Sequence, residues 1–429
     1  MRKRIFVRAT VLLVTALLLA SPAALARPAQ AGPRVARDPA VIRTWDAIAV
    51  RTIIVEGQKP PPVAQLYLGF VSAAVYNAVV TIDGRFAPYT QQPRPHRPAS
   101  PEAAAAAAAY RLLSHYFPAS ADRLVADYQA SLANIPDGPA KTQGIQVGEA
   151  AAVAIVRLRE GDGRDAAITL NVTPGPGVWR PTPPAFAPML APWLGFVRPL
   201  LLDSPTQLPL AGPDRLTSAA YARDFDEVKA DGAAASTTRT PTQTDTARFF
   251  SDNLAVQYQA GLRDLATRHR LDITKAARLF AILNMTGADA LIACWRGKYD
   301  FPFWRPSTAI QLADTDHNPA TTADPAWTPL LINPPYPDYP SGHACLTGAT
   351  SDGLAYLFGA RHLDLVVSSA VTGTTRQYRT AQDLDRDTVN ARIWLGIHFR
   401  TAMTDGNRLG HRVSRWALGH YFQPVRQAT

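Results

Sequence analysis

The pentapeptide Tyr339-Pro340-Ser341-Gly342-His343 stands directly before an apolar stretch with helical spacing. Proline, serine and glycine at that point predict a helix start that presents a hydroxyl group and free backbone N–H groups. The helix dipole favours negative charge at the same end. The stretch therefore predicts a helix whose N-terminus binds an anion.

The rest of the chain also shows mainly helical patterning, and no pair of β-branched runs is joined by an Asn-Gly or Asp-Gly turn. Proline and glycine stop several of the helical segments. Apolar residues recur at spacings of three and four in segments 39–56, 63–82, 101–116, 120–134, 141–160, 245–269, 273–295, 347–357 and 405–421. The predicted fold class is all-α, a helical bundle interrupted by long Pro-rich loops.

The composition excludes several classes of protein. With 47% apolar and 18% charged residues among 429, the chain is neither disordered nor of low complexity. Its 37 prolines show no Gly-X-Y period, which excludes a collagen-like chain. Two cysteines cannot build a disulfide framework or a multi-cysteine zinc site. Any metal chemistry must therefore use histidine, carboxylate or cationic side chains.

Residues 1–31 have the three parts of a secretory signal: a basic head, an apolar run at 9–20, and small-residue cleavage sites ending at Ala26 and Ala31. The apolar run is shorter than the roughly 20 residues needed to span a bilayer. We therefore expect cleavage, secretion to the periplasm or the exterior, and no membrane attachment of the mature chain.

The remaining residues, 32–429, are predicted to form a single helical domain. It would consist of N-terminal helices at 32–165, a Pro-rich loop region at 166–240, and a helical part at 241–429 that carries the site. Eleven prolines fall within 168–213, which is typical either of a binding or lid loop or of a loop that wraps the helices. The net charge falls from +10 to +5 when the five basic residues of the signal are removed. This modest excess does not favour a nucleic-acid partner.

Three clusters in the last third of the chain carry the residues best suited to binding or catalysis. Together they supply three cations, a hydroxyl, a glycine amide and two imidazoles, a set that suits a tetrahedral oxyanion. The seven residues are Lys298, Arg305, Ser341, Gly342, His343, Arg392 and His398. One imidazole would bind the central atom of the anion, and the other would transfer protons near neutral pH.

The spacing of these residues also predicts their local structure. Pro302 and Pro306 make a continuous helix improbable there, so we expect a helix ending near Tyr299 and an extended loop presenting Arg305. Gly396 is expected to end a helix, which would let the following histidine turn inward.

The order and spacing of the clusters resemble a known tripartite signature. Lys298-x6-Arg305-Pro306, Pro340-Ser341-Gly342-His343 and Arg392-x5-His398 are similar to the motifs shared by vanadium-dependent haloperoxidases and the type 2 phosphatidic acid phosphatase superfamily. The resemblance covers roughly residues 289–405. Tryptophans at Trp295 and Trp304 resemble the haloperoxidase branch more than the phosphatases.

The resemblance implies a fold of that helical type and vanadate as the cofactor. His398 would bond vanadium, and His343 would be the acid–base group. The remaining five would bind the vanadate oxygens: Lys298, Arg305, Arg392, the Ser341 hydroxyl and the Gly342 N–H; Lys298 would also polarise the bound peroxide. The implied reaction oxidises a halide with hydrogen peroxide to hypohalous acid, which then reacts with a small organic acceptor.

Two positions depart from the family pattern. Ala391 stands where the family often has serine, and the carboxylate often found a few residues after the second histidine is missing. The next acid is Asp405, seven positions beyond His398. The pattern therefore leaves open which group orients His398.

Two alternatives remain from the same residues. The first is a secreted acid phosphatase in which His398 is the nucleophile and His343 the acid for the leaving group. The missing carboxylate weakens this alternative. The second is an inactive oxyanion-binding or structural descendant.

Other residues are given structural interpretations. Cys294 and Cys345 are expected to be buried free thiols, and His411 is expected to be structural. Asp289 is interpreted either as a carboxylate partner of one of the cations or as a surface residue.

Overall fold

The computed structural model describes residues 39–425; the predicted signal at 1–31 lies outside this range. Within the described residues there are thirteen α-helices and one two-stranded antiparallel sheet. The helices are α1 Ala40–Val50, α2 Pro61–Asp83, α3 Pro101–Tyr116, α4 Ala121–Ala133, α5 Pro139–Leu158, α6 Ala219–Asp231, α7 Pro241–Phe249, α8 Leu254–Arg268, α9 Ile273–Asp300, α10 Pro306–Gln311, α11 Gly342–Phe358, α12 Ala381–Trp394 and α13 Arg400–His420. The strands are β1 Leu365–Ser369 and β2 Thr374–Tyr378. The predicted all-α class with long Pro-rich loops is confirmed.

Helix α9 forms the centre of the core and packs against α2, α11 and α13. Its N-terminus is capped by Asp272, whose carboxylate accepts a hydrogen bond from the Lys275 N–H at 2.9 Å. By length and composition α2 and α9 could each cross a membrane, but their apolar windows are 100% and 94% buried. Burial on all sides is what a central core helix requires.

Small residues bring the N-terminal helices close together. Alanines at 103–109 of α3 are fully buried. Gly144 and Gly148 of α5 face the start of α3, where an added Cβ would overlap the carbonyl oxygens of Ser100 and Ala104. The backbones of α3 and α5 therefore approach each other as closely as glycine permits.

The boundaries of several helices follow the sequence, and others do not. Segment 101–116 is helical over its whole predicted length. The helix predicted at 245–269 is wrong as one element: it is divided into α7 and α8, because the Asn253 side chain accepts from the N–H groups of Ala255 and Val256 and starts a new helix. The sequence did not indicate the β1–β2 hairpin, because its turn contains Thr372-Gly373 and neither Asn-Gly nor Asp-Gly.

The Pro-rich region wraps the helices and also reaches the site. The carboxylate of Asp289, on α9, accepts hydrogen bonds from the N–H groups of Leu200, Leu201 and Leu202 at 2.6–2.8 Å. Asp289 is fully buried, so both interpretations of it were wrong: it holds this loop against the central helix. Earlier in the same region, Leu190 lines a cavity that three of the predicted site residues also line: Gly342, His343 and Arg392.

Candidate active site

The seven predicted residues lie at or next to the ends of five helices. Lys298 is in the last turn of α9, and Arg305 directly precedes α10. Arg392 is in the last turn of α12. The remaining four are Ser341, Gly342 and His343 at the start of α11, and His398 two residues before α13. The expected helix end near Tyr299 and the extended backbone at Arg305 are both confirmed.

Two glycines allow the chain to approach itself here. Gly396 has φ 75°, a left-handed conformation, and a Cβ there would overlap the carbonyl oxygen of Gly232. It ends α12 as predicted and redirects the chain so that His398 is buried. Gly342 packs on Trp295, whose ring would lie 3.0 Å from an added Cβ.

Arg305 and Lys298 are completely buried and held by backbone carbonyls. Arg305 donates to the carbonyl oxygens of Tyr336 at 2.8 Å and Ile397 at 2.6 Å. Lys298 donates to the Pro337 carbonyl at 2.7 Å. Both cations also lie 4.8 Å from the centroid of the Tyr336 ring. These contacts fix the two side chains without cancelling their charge.

His398 has a carboxylate partner that the sequence did not indicate. Its Nδ1 lies 2.8 Å from Oδ1 of Asp338, and both side chains are 1% exposed. A carboxylate at Nδ1 keeps the proton on that nitrogen, which leaves the lone pair on Nε2. Nε2 lies 3.1 Å from the guanidinium of Arg305, which donates to it.

Asp338 is therefore the functional residue missed by the sequence reasoning. It lies in the loop before α11, 60 residues from His398 in the chain, and its own N–H donates to the Phe303 carbonyl at 2.9 Å. Asp405 does not take this role, because it accepts a hydrogen bond from the Tyr339 hydroxyl at 2.8 Å. The only available signal was an acid two residues before the Pro-Ser-Gly-His run.

Several buried polar atoms in this region have no partner among the described residues. They are the hydroxyl oxygen of Ser341, Nε2 of His343, Nε of Arg392 and Oδ2 of Asp338. Ser341 precedes α11 but makes no capping hydrogen bond. Buried polar atoms normally have partners, so such a concentration marks a place where a polar ligand binds.

The electrostatics show an excess of positive charge. Burial, followed by the charges of Arg392, Arg305 and Lys298, holds the pKa of His343 well below its usual value. The pKa of His398 is lowered in the same way, by burial and then by Arg305, Lys298 and Arg392. Both imidazoles are therefore neutral near pH 7. Each of the three cations thus acts on both histidines.

The same burial affects the cations and the carboxylate. It lowers the pKa of Lys298 to about 8 and that of Arg392 to about 10. It raises the pKa of Asp338 to about 7, against the attraction of Arg305 and Lys298. A buried ion without a counter-ion costs roughly several kcal/mol. One partly protonated carboxylate cannot balance three cations, so the cluster favours a bound anion.

Vanadate fits these residues. The three cations offset its negative charge. The Ser341 hydroxyl and the Gly342 N–H are donors at the start of α11, and Nε of Arg392 is a further donor from the end of α12. Nε2 of His398, which accepts from Arg305 in this structure, carries the lone pair that a metal would use. His343 and Arg392 also line a cavity of about 380 Å³ that opens to the surface, which provides access.

Comparisons with known proteins show similarity in sequence over part of the chain. Residues 278–427 match the family model described as the VCPO second helical-bundle domain. Vanadium chloroperoxidase from Curvularia inaequalis is 26% identical over a region that covers 36% of this chain and 32% of that protein. The chain thus spans about a third of the length of the curated relative it matches.

Solved structures extend the likeness to nearly the whole fold. A bacterial vanadium-dependent iodoperoxidase superposes with a TM-score of 0.74 at 23% identity, covering 90% of this chain and 97% of the other. A bacterial vanadium-dependent chloroperoxidase in its apo form superposes with a TM-score of 0.67 at 19% identity, covering 83% and 92%. The fold is therefore the helical-bundle fold of these enzymes, and the resemblance of this chain to the vanadium-dependent haloperoxidase family is confirmed.

Proposed function

We propose that the protein is a secreted vanadate-dependent haloperoxidase that uses hydrogen peroxide to oxidise a halide to hypohalous acid. The observation that carries this proposal is the buried group of three cations around unpartnered donors and a histidine whose lone pair is on Nε2. This arrangement suits a tetrahedral oxyanion held by a nitrogen ligand.

The charged residues would bind the anion, and a neutral histidine would bind the metal. Lys298, Arg305 and Arg392 would hold the anion with the Ser341 and Gly342 donors, and His398 would ligate the metal. Vanadate, when bound, supplies a Lewis-acidic centre that activates hydrogen peroxide toward halide.

The lowered pKa of His343 gives it the base form near neutral pH, so its Nε2 would accept a proton from hydrogen peroxide. Lys298 remains mostly protonated below about pH 8 and would donate a hydrogen bond to the bound oxidant.

Reconstitution with vanadate tests the proposal. The chain is purified without vanadate and assayed for peroxide-dependent bromination of a dye with and without added orthovanadate. We expect activity only with vanadate. No activity at any vanadate concentration that saturates the site would contradict the proposal and favour an inactive oxyanion-binding descendant.

Phosphate provides the matching competition experiment. Because phosphate and vanadate share shape and charge, we expect millimolar phosphate to suppress activation by vanadate. Sodium chloride at equal ionic strength is the control for screening of the cations. Full activation in a large excess of phosphate would show that vanadate acts elsewhere.

One observation favours a second candidate, an acid phosphatase. The missing carboxylate after His398 weakened this alternative in the sequence, but Asp338 supplies a carboxylate at 2.8 Å from Nδ1. A nucleophilic histidine needs such an orienting partner. Hydrolysis of p-nitrophenyl phosphate without vanadate, lost in His398→Ala, would support the phosphatase.

Secretion is part of the proposal and depends on residues 1–31. The basic head, the short apolar run and the Ala26 and Ala31 sites support it. Expression of the full chain, followed by N-terminal sequencing of the exported protein, tests it. We expect the exported chain to begin directly after Ala26 or Ala31. Cleavage after Ala31 would leave residues 32–429 as the mature helical domain.

A further inference from the structure

The cavity above the proposed site is larger and more apolar than halide oxidation requires. Its volume is about 380 Å³, within the range of about 300–1,000 Å³ typical of small-molecule sites. Hydrogen peroxide and halide ions are far smaller and strongly hydrated. Apolar walls offer them no stabilisation, so the cavity suggests a further occupant.

The walls consist mostly of hydrophobic side chains. Leu254, Leu291 and Leu346 are buried and line the cavity together with Trp295. Ile332 is 66% exposed and lies at its mouth. A large exposed apolar side chain beside a concave apolar surface is typical of a ligand entrance.

One side of the cavity is aromatic and fixed in place. The rings of Trp295 and Tyr336 both line it, with their centroids 5.1 Å apart and planes tilted by 56°. Nε1 of Trp295 donates to the Leu190 carbonyl at 3.0 Å, so its ring is held in position. A planar ring would gain both apolar burial and aromatic contact at this wall.

Three consecutive polar residues of the cavity wall are already engaged. The carboxylate of Asp252 accepts from the N–H groups of Asn253 at 2.7 Å and Ala370 at 2.6 Å. The Asn253 amide caps α8, and the Ser251 hydroxyl donates to the Arg248 carbonyl at 2.7 Å. These groups therefore provide little recognition of a charged or highly polar ligand. The unpartnered atoms are those of His343 and Arg392, at the inner end.

We propose that this cavity binds the organic acceptor, an uncharged aromatic molecule of one or two rings, and that the halogen is transferred there and not in bulk water. The inference rests on the proposed haloperoxidase function. Formation of hypohalous acid consumes H₂O₂, X⁻ and H⁺ and releases water. In the second step, ArH and HOX give ArX and H₂O: a C–H bond is replaced by C–X, and the ring proton leaves with the hydroxyl as water.

Binding is measured first, on the chain without vanadate, by calorimetric titration with 1-naphthol. We expect Ile332→Glu to weaken affinity at least about tenfold, because it places a charge at the apolar entrance. Ile332→Ala should show a smaller loss. The matched control is Val125→Glu, an exposed apolar residue on α4 outside the cavity, which should bind as the unmodified chain does. Equal affinity of all four proteins would overturn the inference.

The site of halogen transfer is measured next, with vanadate, hydrogen peroxide and bromide. We expect a ratio of 2-bromo to 4-bromo product that differs from that of reagent hypobromous acid and is little changed by taurine, which traps free hypohalous acid. The reagent ratio together with full suppression by taurine would overturn transfer in the cavity.

A third assay separates this inference from the function on which it rests. Iodide oxidation to triiodide needs no organic acceptor, so it reports the halide chemistry alone. If triiodide forms but the bromination assay gives the isomer ratio of reagent hypobromous acid, only the proposal of an acceptor site is overturned. Absence of triiodide from the vanadate-loaded chain overturns the proposed function, and with it the transfer step.

Discussion

Asp338 decides the orientation of His398, and its removal has a measurable consequence. Loss of the carboxylate frees the imidazole ring and its tautomer, and such outer partners are worth about 10–100-fold in metal affinity. We expect Asp338→Ala to weaken vanadate binding by this factor in calorimetric titration. Asp338→Asn retains an acceptor oxygen, so its vanadate affinity should lie between those of the unmodified chain and Asp338→Ala. Asp405→Asn is the control, because Asp405 bonds to Tyr339 instead; an equal loss in that variant would contradict the role given to Asp338.

The two histidines differ in what they are expected to contribute. His398→Ala removes the proposed metal ligand, so vanadate should bind far more weakly. His343→Ala leaves the cations and the Ser341 hydroxyl in place, so affinity should fall modestly while turnover falls by roughly 10²–10⁴. Titration with vanadate and a halide-oxidation assay measure both effects. Loss of vanadate in the His343 variant, with affinity and rate retained in the His398 variant, would reverse the assignment.

At the scale of elements, three helices meet at His411 of α13. Its Nδ1 lies 3.1 Å from Asp352 of α11, and its Nε2 lies 2.9 Å from Asp385 of α12. Burial opposes the charge, but the hydrogen bonds to the two carboxylates prevail and raise the pKa of His411 to about 9. The predicted structural role of His411 is consistent with this arrangement.

The raised pKa of His411 makes the packing of these helices pH-dependent. Since its folded value lies above the unfolded value of about 6.5, the stabilisation is fully present below pH 6.5 and is lost as the pH rises through 9. We expect His411→Asn to lower the free energy of unfolding by roughly 2–3 kcal/mol at pH 6 and by much less at pH 9.5. Urea unfolding of both proteins at the two pH values measures this. His420→Asn is the control, because the ring of His420 hydrogen-bonds to the Trp416 carbonyl of its own helix, α13. A difference between the original chain and His411→Asn that does not change with pH would contradict the prediction.

At the scale of the whole molecule, the buried cations couple anion binding to folding. An anion that binds only the folded chain stabilises it by about 2.7 kcal/mol at 100 times its Kd. We expect phosphate to raise Tm by a few degrees in calorimetric scans, since it relieves repulsion among Lys298, Arg305 and Arg392. Sodium chloride at equal ionic strength should give a smaller rise, and Arg392→Met should reduce the response to phosphate. An equal rise in that variant would place the stabilising anion elsewhere.

The sequence by itself determined the helical class and most helix ends around the candidate site. It also indicated the three cations and two histidines that interact there. These features depend on local chemistry: apolar spacing marks buried helix faces, proline prevents continuation beyond α9, and Gly396 permits the left-handed turn after α12. Motif spacing then indicated an oxyanion site, because few residue sets combine three cations with two histidines.

Only the tertiary structure decided which distant groups act on those residues. The pairing of Asp338 with His398 spans 60 residues, and an isolated aspartate carries no local sign of its partner. Likewise, nothing in the sequence indicated that Asp289 accepts hydrogen bonds from three backbone N–H groups. These groups belong to an irregular loop 87–89 residues away. The cavity has the same origin, because Leu190, Leu254 and Ile332 become neighbours only when loops and helices pack. The spacing of apolar residues shows which face of a segment is turned toward the core, whereas contacts between segments depend on the packing of the whole chain.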